Sequence, residues 1–131
     1  SGENIWPGLL EMELQENAAI EQVMVYGHGY DYLVALVHPN WEQFVSRLDL
    51  SGDPAVWVDS PNVEQWFYKV VEQQLHDFAP HEQIRKVALV QSPWTPENDM
   101  LTPKGTLRRS QIAAKFDSIF RRCTKELIEV Q

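Results

Sequence analysis

Apolar and polar residues follow two spacings along this chain, and each spacing predicts a different element. β-branched and aromatic residues fill two runs, Ile20–Tyr26 and Tyr32–His38, on either side of a segment that contains Gly27, Gly29 and Asp31. Strands favour such residues, and a short glycine-rich link between two of them is typical of an antiparallel hairpin. We therefore predict a hairpin over these residues.

Apolar residues recur at steps of three and four positions elsewhere, which is the spacing of one helix face. The longest such segment predicts a helix from Pro61 to Phe78. Shorter segments predict a helix that starts at Pro7, one from Asn40 to Leu48, and a last one that begins near Ser110. The run at 83–90 supplies a third strand.

Two segments lack both spacings and are predicted as loops. Residues 49–60 have the Ser, Gly, Asp and Pro content of a connecting loop, and a longer loop follows the third strand at residues 91–106. The elements together predict an α+β fold, a small sandwich in which helices pack against a roughly three-stranded sheet with an antiparallel hairpin.

Composition limits the class of protein. A chain of 131 residues, 44% hydrophobic, fits one domain with a sizeable core. Cys123 is its single cysteine, which excludes an internal disulfide and is compatible with a cytoplasmic protein. We expect no transmembrane segment, since no apolar run approaches the ~20 residues that cross a bilayer. The four scattered histidines predict no metal site.

Charge is unevenly distributed along the chain. Residues 1–100 hold 4 Lys and Arg against 16 Asp and Glu, a net charge of −12, whereas residues 101–131 hold 7 against 3, a net charge of +4. An acidic body argues against nucleic acid as a partner, because such binding relies on many phosphate contacts. The basic end fits either one small anionic ligand or a solvated helix face.

The stretch MLTPKGTLRR, Met100–Arg109, places a lysine at the centre of a turn signal. Proline fixes one φ angle and glycine tolerates angles that other residues avoid, so the run Pro-Lys-Gly predicts an exposed tip. Lys104 is carried on that tip. A lysine held in this way meets either phosphate or solvent.

Three stretches, taken in order, carry a resemblance to a known family. They are SGENIWPGLLE at the start, the hairpin VMVYGHGYDYLVALVHP, and IRKVALV followed by LTPKGTLRR. Together they resemble the C-terminal subdomain of the adenylate-forming superfamily, which includes acyl-CoA synthetases, firefly luciferase and peptide-synthetase adenylation domains. The resemblance spans the whole chain and is closest to the long-chain acyl-CoA synthetase branch.

The resemblance implies a two-step ligase that depends on ATP, Mg²⁺ and coenzyme A. A carboxylate, with a fatty acid as the expected substrate, attacks ATP to give an acyl-adenylate, and the thiol of coenzyme A then takes the acyl group. Residues 1–131 would be the mobile lid of that enzyme. Its partner, the N-terminal domain that binds ATP and the acyl group, is absent from these residues. We expect this part alone to be inactive and to hold no cofactor tightly.

The same resemblance implies the residues of the adenylation step. The family pattern Pro-x-Gly-Lys places its lysine where this chain has Thr106, while Lys104 lies two positions earlier, as in the Pro-Lys-Gly-Thr run of some adenylating reductases. Lys104 is the catalytic candidate and Thr106 marks the alternative position. Arg108 and Arg109 would support the phosphate side. The alternative is that Lys104 is a plain turn residue.

Two further loops match family positions that serve thioester formation. The first follows the hinge of such enzymes, and it is also compatible with an ordinary turn before a helix cap. The second is the hairpin turn that can approach coenzyme A, and it is also compatible with a plain β-turn. The residues are Gly2, Glu3 and Asn4 in the first loop, and Gly27, His28 and Gly29 in the second.

Two other functions remain open at this point. In the first, the acyl group passes to a carrier-protein thiol or a reductase in place of free coenzyme A. A different class is a non-catalytic interaction module that kept the fold and lost the task of the lysine. The threonine at position 106 favours this last alternative.

Overall fold

The structure, a computed structural model, describes residues 4–27, 32–48 and 53–130. Its sheet has the strand order β1 (Ile20–Tyr26), β2 (Leu33–Pro39) and β3 (Ile84–Leu89). β1 pairs antiparallel with β2, and β2 pairs parallel with β3, so β1 and β3 are the edges. The predicted hairpin, the third strand and the α+β class are confirmed.

Helices cover the sheet, and several start where the sequence signals a start. Pro61 lies at the first turn of its helix, and the Ser60 hydroxyl accepts a hydrogen bond from the Val63 N–H at 3.4 Å, which caps the end. The α-helices of the described residues are α1 (Pro7–Leu14), α2 (Trp41–Leu48), α3 (Pro54–Trp57), α4 (Pro61–Gln74), α5 (Arg109–Lys115) and α6 (Asp117–Val130).

Three predicted boundaries are wrong. The loop at 49–60 contains α3, because the Asp53 carboxylate accepts a hydrogen bond from the Ala55 N–H and starts a helical turn at Pro54. α4 ends at Gln74, and the Gln83 amide then donates to two carbonyl groups of the following turn. The last helix is two helices, α5 and α6, with a break at Phe116.

The sheet separates two hydrophobic cores. Alternate residues of each strand point to opposite faces, so Val23 and Val25 face one core and Met24 faces the other. The first core packs the sheet against α1 to α4. The second packs it against α5, α6 and the loop at 91–108. This second face holds the lysine loop.

Candidate functional site

The lysine loop, which we define as residues 91–108, ends in a small hairpin. Leu101 and Leu107 form an antiparallel bridge. The Gly105 N–H donates to the Thr102 carbonyl at 2.9 Å, and the Thr102 N–H donates to the Thr106 carbonyl at 2.9 Å. Gly105 has a φ of 92°, which side chains disfavour and glycine allows. The predicted turn is therefore present, with its tip at Lys104.

The two candidate positions in this hairpin differ in what they contact. Lys104 is exposed and forms no ion pair or side-chain hydrogen bond with any residue that the structure describes. The Thr106 hydroxyl is hydrogen-bonded to the Thr102 hydroxyl, and the Thr106 N–H donates to that hydroxyl at 3.1 Å. Lys104 is thus available to an incoming anion, whereas Thr106 stabilises the turn.

The base of the lysine loop is fixed on β1. Trp94 and Met100 are buried in the second core. The Gln22 amide donates to the Trp94 carbonyl at 2.9 Å and accepts from the Trp94 N–H at 2.7 Å. Within the loop, the side-chain oxygen Oδ1 of Asn98 accepts hydrogen bonds from the N–H groups of Thr95 and Met100. Side-chain hydrogen bonds therefore replace strand pairing along this segment.

The two arginines after the hairpin have different partners. Arg109 binds both carboxylate oxygens of Glu11, with Nη1 at 2.8 Å from Oε2 and Nη2 on Oε1. This hydrogen bonding raises the pKa of Arg109 above its ordinary value, against the opposing effect of burial. Arg108 lies 3.4 Å from the exposed Asp99 carboxylate. Arg108 is the freer of the two for a ligand.

Sequence reasoning missed Glu11, whose side chain is only 8% exposed. Its Oε2 also accepts a hydrogen bond from the Val25 N–H at 2.8 Å. The signal in the sequence that could have identified Glu11 is its position in the apolar pattern of α1. Glu11 lies beside Leu10 and Leu14, on the apolar side of α1, and a carboxylate there indicates a buried partner.

The loop predicted to serve thioester formation is described only in part. Gly2 and Glu3 lie outside the described residues, while Asn4 is exposed just before α1. Large apolar side chains are exposed at the start of α1 and along it: Trp6, Leu9 and Met12. Exposed apolar groups that lie together are typical of a surface that contacts another domain.

The hairpin turn is also described in part, because His28 and Gly29 lie outside the described residues. At Gly27 a Cβ atom would lie 2.5 Å from Leu33 Cδ2 and 3.2 Å from the Tyr32 carbonyl oxygen. The close approach of the second strand therefore explains the glycine without a ligand. Approach of coenzyme A to this turn stays a prediction.

Two grooves, each of about 440 Å³, meet at Arg109. The first lies between α1 and the hairpin tip and includes Met12, Gly105 and Thr106. The second lies beside the turn between β1 and β2 and includes Gly27. The structure thus brings the lysine hairpin, α1 and Gly27 to one side of the domain.

The described residues hold neither a metal-binding cluster nor a membrane-spanning helix. Across 4–27, 32–48 and 53–130, no three His, Cys, Asp or Glu side chains are grouped to hold a metal ion. No helix in those ranges is long and apolar enough to cross a bilayer.

One family model matches nearly the whole chain. It is described as the C-terminal domain of AMP-binding enzymes, and it matches residues 1–125. Among curated proteins, the chain is 28% identical over 118 residues to a chloroplastic long-chain-fatty-acid acyl-carrier-protein ligase of Arabidopsis thaliana. That match covers 88% of this chain and 15% of the relative, so the chain spans a small part of that protein.

Solved structures show the same fold. The chain is similar to the A-PCP didomain of carboxylic acid reductase from Segniliparus rugosus in complex with AMP, with a TM-score of 0.79 and 22% identity. The similarity covers 98% of this chain and 17% of that one. An acyl-CoA synthetase of Brucella canis matches with a TM-score of 0.53 and 21% identity, over 86% of this chain and 17% of that one.

Proposed function

Because the chain belongs to the family of AMP-binding enzyme C-terminal domains, we propose that it is the mobile lid of an adenylate-forming ligase. The whole enzyme activates a carboxylate, a fatty acid, with ATP and transfers it to the thiol of coenzyme A. Its N-terminal domain holds ATP and the acyl group. The exposed apolar side chains of α1 support the proposal that this domain contacts a larger one.

The observation that carries this proposal is the ammonium group of Lys104, exposed and unpaired among the described residues at the tip of an ordered hairpin. Adenylation brings two anions together, the substrate carboxylate and the triphosphate. A cation between them stabilises the charge that they share in the transition state. Lysine suits this role because it is a compact charge on a long stem.

The proposed reaction has two steps. A carboxylate oxygen attacks the α-phosphorus of ATP, the bond to the bridging oxygen breaks, and pyrophosphate leaves with the electron pair. The thiol sulfur then attacks the acyl carbon, AMP leaves, and the thiol proton passes to solvent. Lys104 serves the first step, with Arg108 on the phosphate side. Magnesium would accompany ATP and neutralise part of its charge.

A second acceptor is supported by the comparisons. The Arabidopsis relative is named for an acyl-carrier-protein, and the Segniliparus structure joins an adenylation domain to a PCP domain. The alternative proposal is therefore that this lid serves transfer to a carrier-protein thiol or delivery to a reductase. Offering coenzyme A and a thiol-bearing carrier protein to the adenylated whole enzyme, and identifying the thioester, separates the two acceptors.

Pyrophosphate release tests the proposal as a whole. The whole enzyme should release pyrophosphate only when ATP, magnesium and a carboxylate are all present. The 131-residue domain is the matched control and should release none, because the nucleotide site lies elsewhere. A whole enzyme that releases none with any fatty acid would favour the non-catalytic interaction module. We also propose a cytoplasmic location, which cell fractionation tests.

A further inference from the structure

Glu11 joins three elements, and the third of them is distant in the sequence. It lies on α1, it accepts a hydrogen bond from the Val25 N–H of β1, and it binds Arg109, the first residue of α5. Val25 pairs with Ala35 in an edge strand, and its N–H is bound by the carboxylate. Glu11 therefore connects the helical layers of both faces across the free edge of β1.

Burial makes this contact specific. A buried carboxylate is costly unless its oxygens are hydrogen-bonded, and here one backbone N–H and two guanidinium nitrogens satisfy them. A paired guanidinium and carboxylate fix both distance and orientation, since two parallel hydrogen bonds form at once. Arg109 is thus held in one position relative to α1 and β1.

Arg109 directly follows the stem of the lysine hairpin. The Arg108 N–H donates to the Met100 carbonyl at 2.9 Å, which closes the stem of the hairpin immediately before Arg109. Gln22 fixes the other end of the loop through Trp94. Both ends are thus attached beside β1, and Glu11 holds the end nearer to Lys104.

We propose that Glu11 is a positioning residue for adenylation, acting through Arg109 to fix the direction of the Lys104 hairpin. The proposal rests on the proposed function, because it requires Lys104 to act in that step. It also gives Arg109 a task other than direct contact with phosphate. Thiol transfer does not use the lysine tip and should depend much less on Glu11.

A second ion pair, whose carboxylate is more exposed than that of Glu11, offers a control. Lys86 Nζ lies 2.7 Å from Glu126 Oε2, at the opposite edge of the sheet. This pair joins β3 to α6, as Glu11 joins β1 to α5. Glu126→Gln therefore removes a short ion pair between a strand edge and a helix without touching the lysine loop.

The experiment compares Glu11→Gln, Arg109→Lys and Glu126→Gln in the whole enzyme. Single-turnover formation of acyl-adenylate is measured beside thiol transfer from supplied acyl-adenylate. Glu11→Gln and Arg109→Lys should slow adenylation roughly 10- to 100-fold, because misplacement by about 1 Å is enough for such a loss. Thiol transfer should be slowed much less than adenylation in both variants, because it does not use the lysine tip. Glu126→Gln should leave both steps close to the parent rate.

A double-substitution cycle with Lys104→Ala completes the test. If Glu11 acts through the lysine, Glu11→Gln should add little to the loss that Lys104→Ala causes. The proposal is overturned if Glu11→Gln slows adenylation as much in the Lys104→Ala background as it does alone. It is also overturned if Glu11→Gln slows adenylation and thiol transfer equally, whether through misfolding or any other cause. If Glu11→Gln forms acyl-adenylate at the parent rate while Lys104→Ala is slow, this inference alone is overturned. If Lys104→Ala forms acyl-adenylate at the parent rate, the proposed function is overturned.

Discussion

The two faces of the sheet are packed in different ways. On the first face, an aromatic cluster lies between α2, α3 and α4, with ring centroids 5.3 Å apart for Phe44 and Phe67. On the second face, the buried residues Trp94 and Met100 belong to a loop. The indole N–H of Trp94 has no hydrogen-bond partner among the described residues. The second face thus combines apolar packing with a loop held by hydrogen bonds.

Because of this difference, we expect the first face to contribute mainly to stability and the second face to contribute to adenylation as well. The first face buries side chains of regular elements and holds none of the adenylation residues that the sequence predicts. The second face carries the lysine loop, so a change there alters the position of Lys104 as well as the free energy of unfolding. Substitutions on the two faces should therefore differ in which measurement they affect most.

The largest expected effect on stability is that of Phe67→Ala on the first face. Phe67 is fully buried, and removing such a ring costs about 3–5 kcal/mol through lost burial and the cavity that remains. Met100→Ala on the second face should cost less, about 2 kcal/mol, since this side chain is slightly exposed. Urea unfolding of the 131-residue domain gives both values.

Adenylation should reverse that order. In the whole enzyme, assayed where both variants are folded, Met100→Ala should slow adenylation more than Phe67→Ala, because Met100 anchors the lysine loop. Equal rates for the two variants would break the comparison between the faces.

A smaller effect is expected at Gly105, where the backbone itself is the constraint. Gly105→Ala should destabilise the domain by about 1–2 kcal/mol, because a φ of 92° is unfavourable for a residue with a Cβ atom. Gly8→Ala is the matched control. Both sites have open space around an added Cβ, and alanine is favoured inside a helix such as α1. Gly8→Ala should therefore stabilise. Unfolding midpoints that shift in the same direction would contradict the prediction.

The smallest effect is a pH dependence at His38. Burial lowers the pKa of His38 below 6.5, against a smaller opposing effect of its contact with the Val90 carbonyl. A lowered pKa means that neutral His38 adds stability above pH 6.5, and this stability is lost as the pH falls from 6.5 through the folded-state pKa. Urea unfolding of the domain between pH 7.5 and pH 5 should show the free energy of unfolding decline below pH 6.5, the ordinary pKa of histidine.

His38→Gln should flatten that decline, since glutamine does not titrate in this range. His76→Gln is the control, because His76 is exposed. The prediction fails if the His76 substitution flattens the pH dependence as much as the His38 substitution.

Local patterns were sufficient to predict much of the fold. β1 and β2 followed from β-branched residues on either side of glycines, and α4 followed from a repeated apolar spacing after Ser60 and Pro61. α3 was missed because Asp53 and Pro54 serve equally well in a loop and at a helix start. The break at Phe116 was missed because the apolar spacing continues across it.

The candidate site was predicted less completely. Lys104 on an exposed tip followed from the Pro-Lys-Gly run, since a turn depends on neighbouring residues. The contact between Glu11 and Arg109 joins residues 98 positions apart, and no local pattern pairs them. Gln22 and Trp94 are 72 positions apart and were missed for the same reason. Tertiary contacts fix the loop, and those contacts need the structure.

We propose that Lys104 stabilises the adenylation transition state from the tip of a fixed hairpin. Single-turnover formation of acyl-adenylate by the whole enzyme tests it in three variants: Lys104→Ala, Thr106→Ala, and Lys104→Ala combined with Thr106→Lys. Lys104→Ala should lose roughly 10²-fold or more in rate, as expected when an electrostatic contact to the transition state is removed. Thr106→Ala should lose much less, and the combined variant should recover part of the rate. Adenylation at the parent rate by Lys104→Ala would contradict the account.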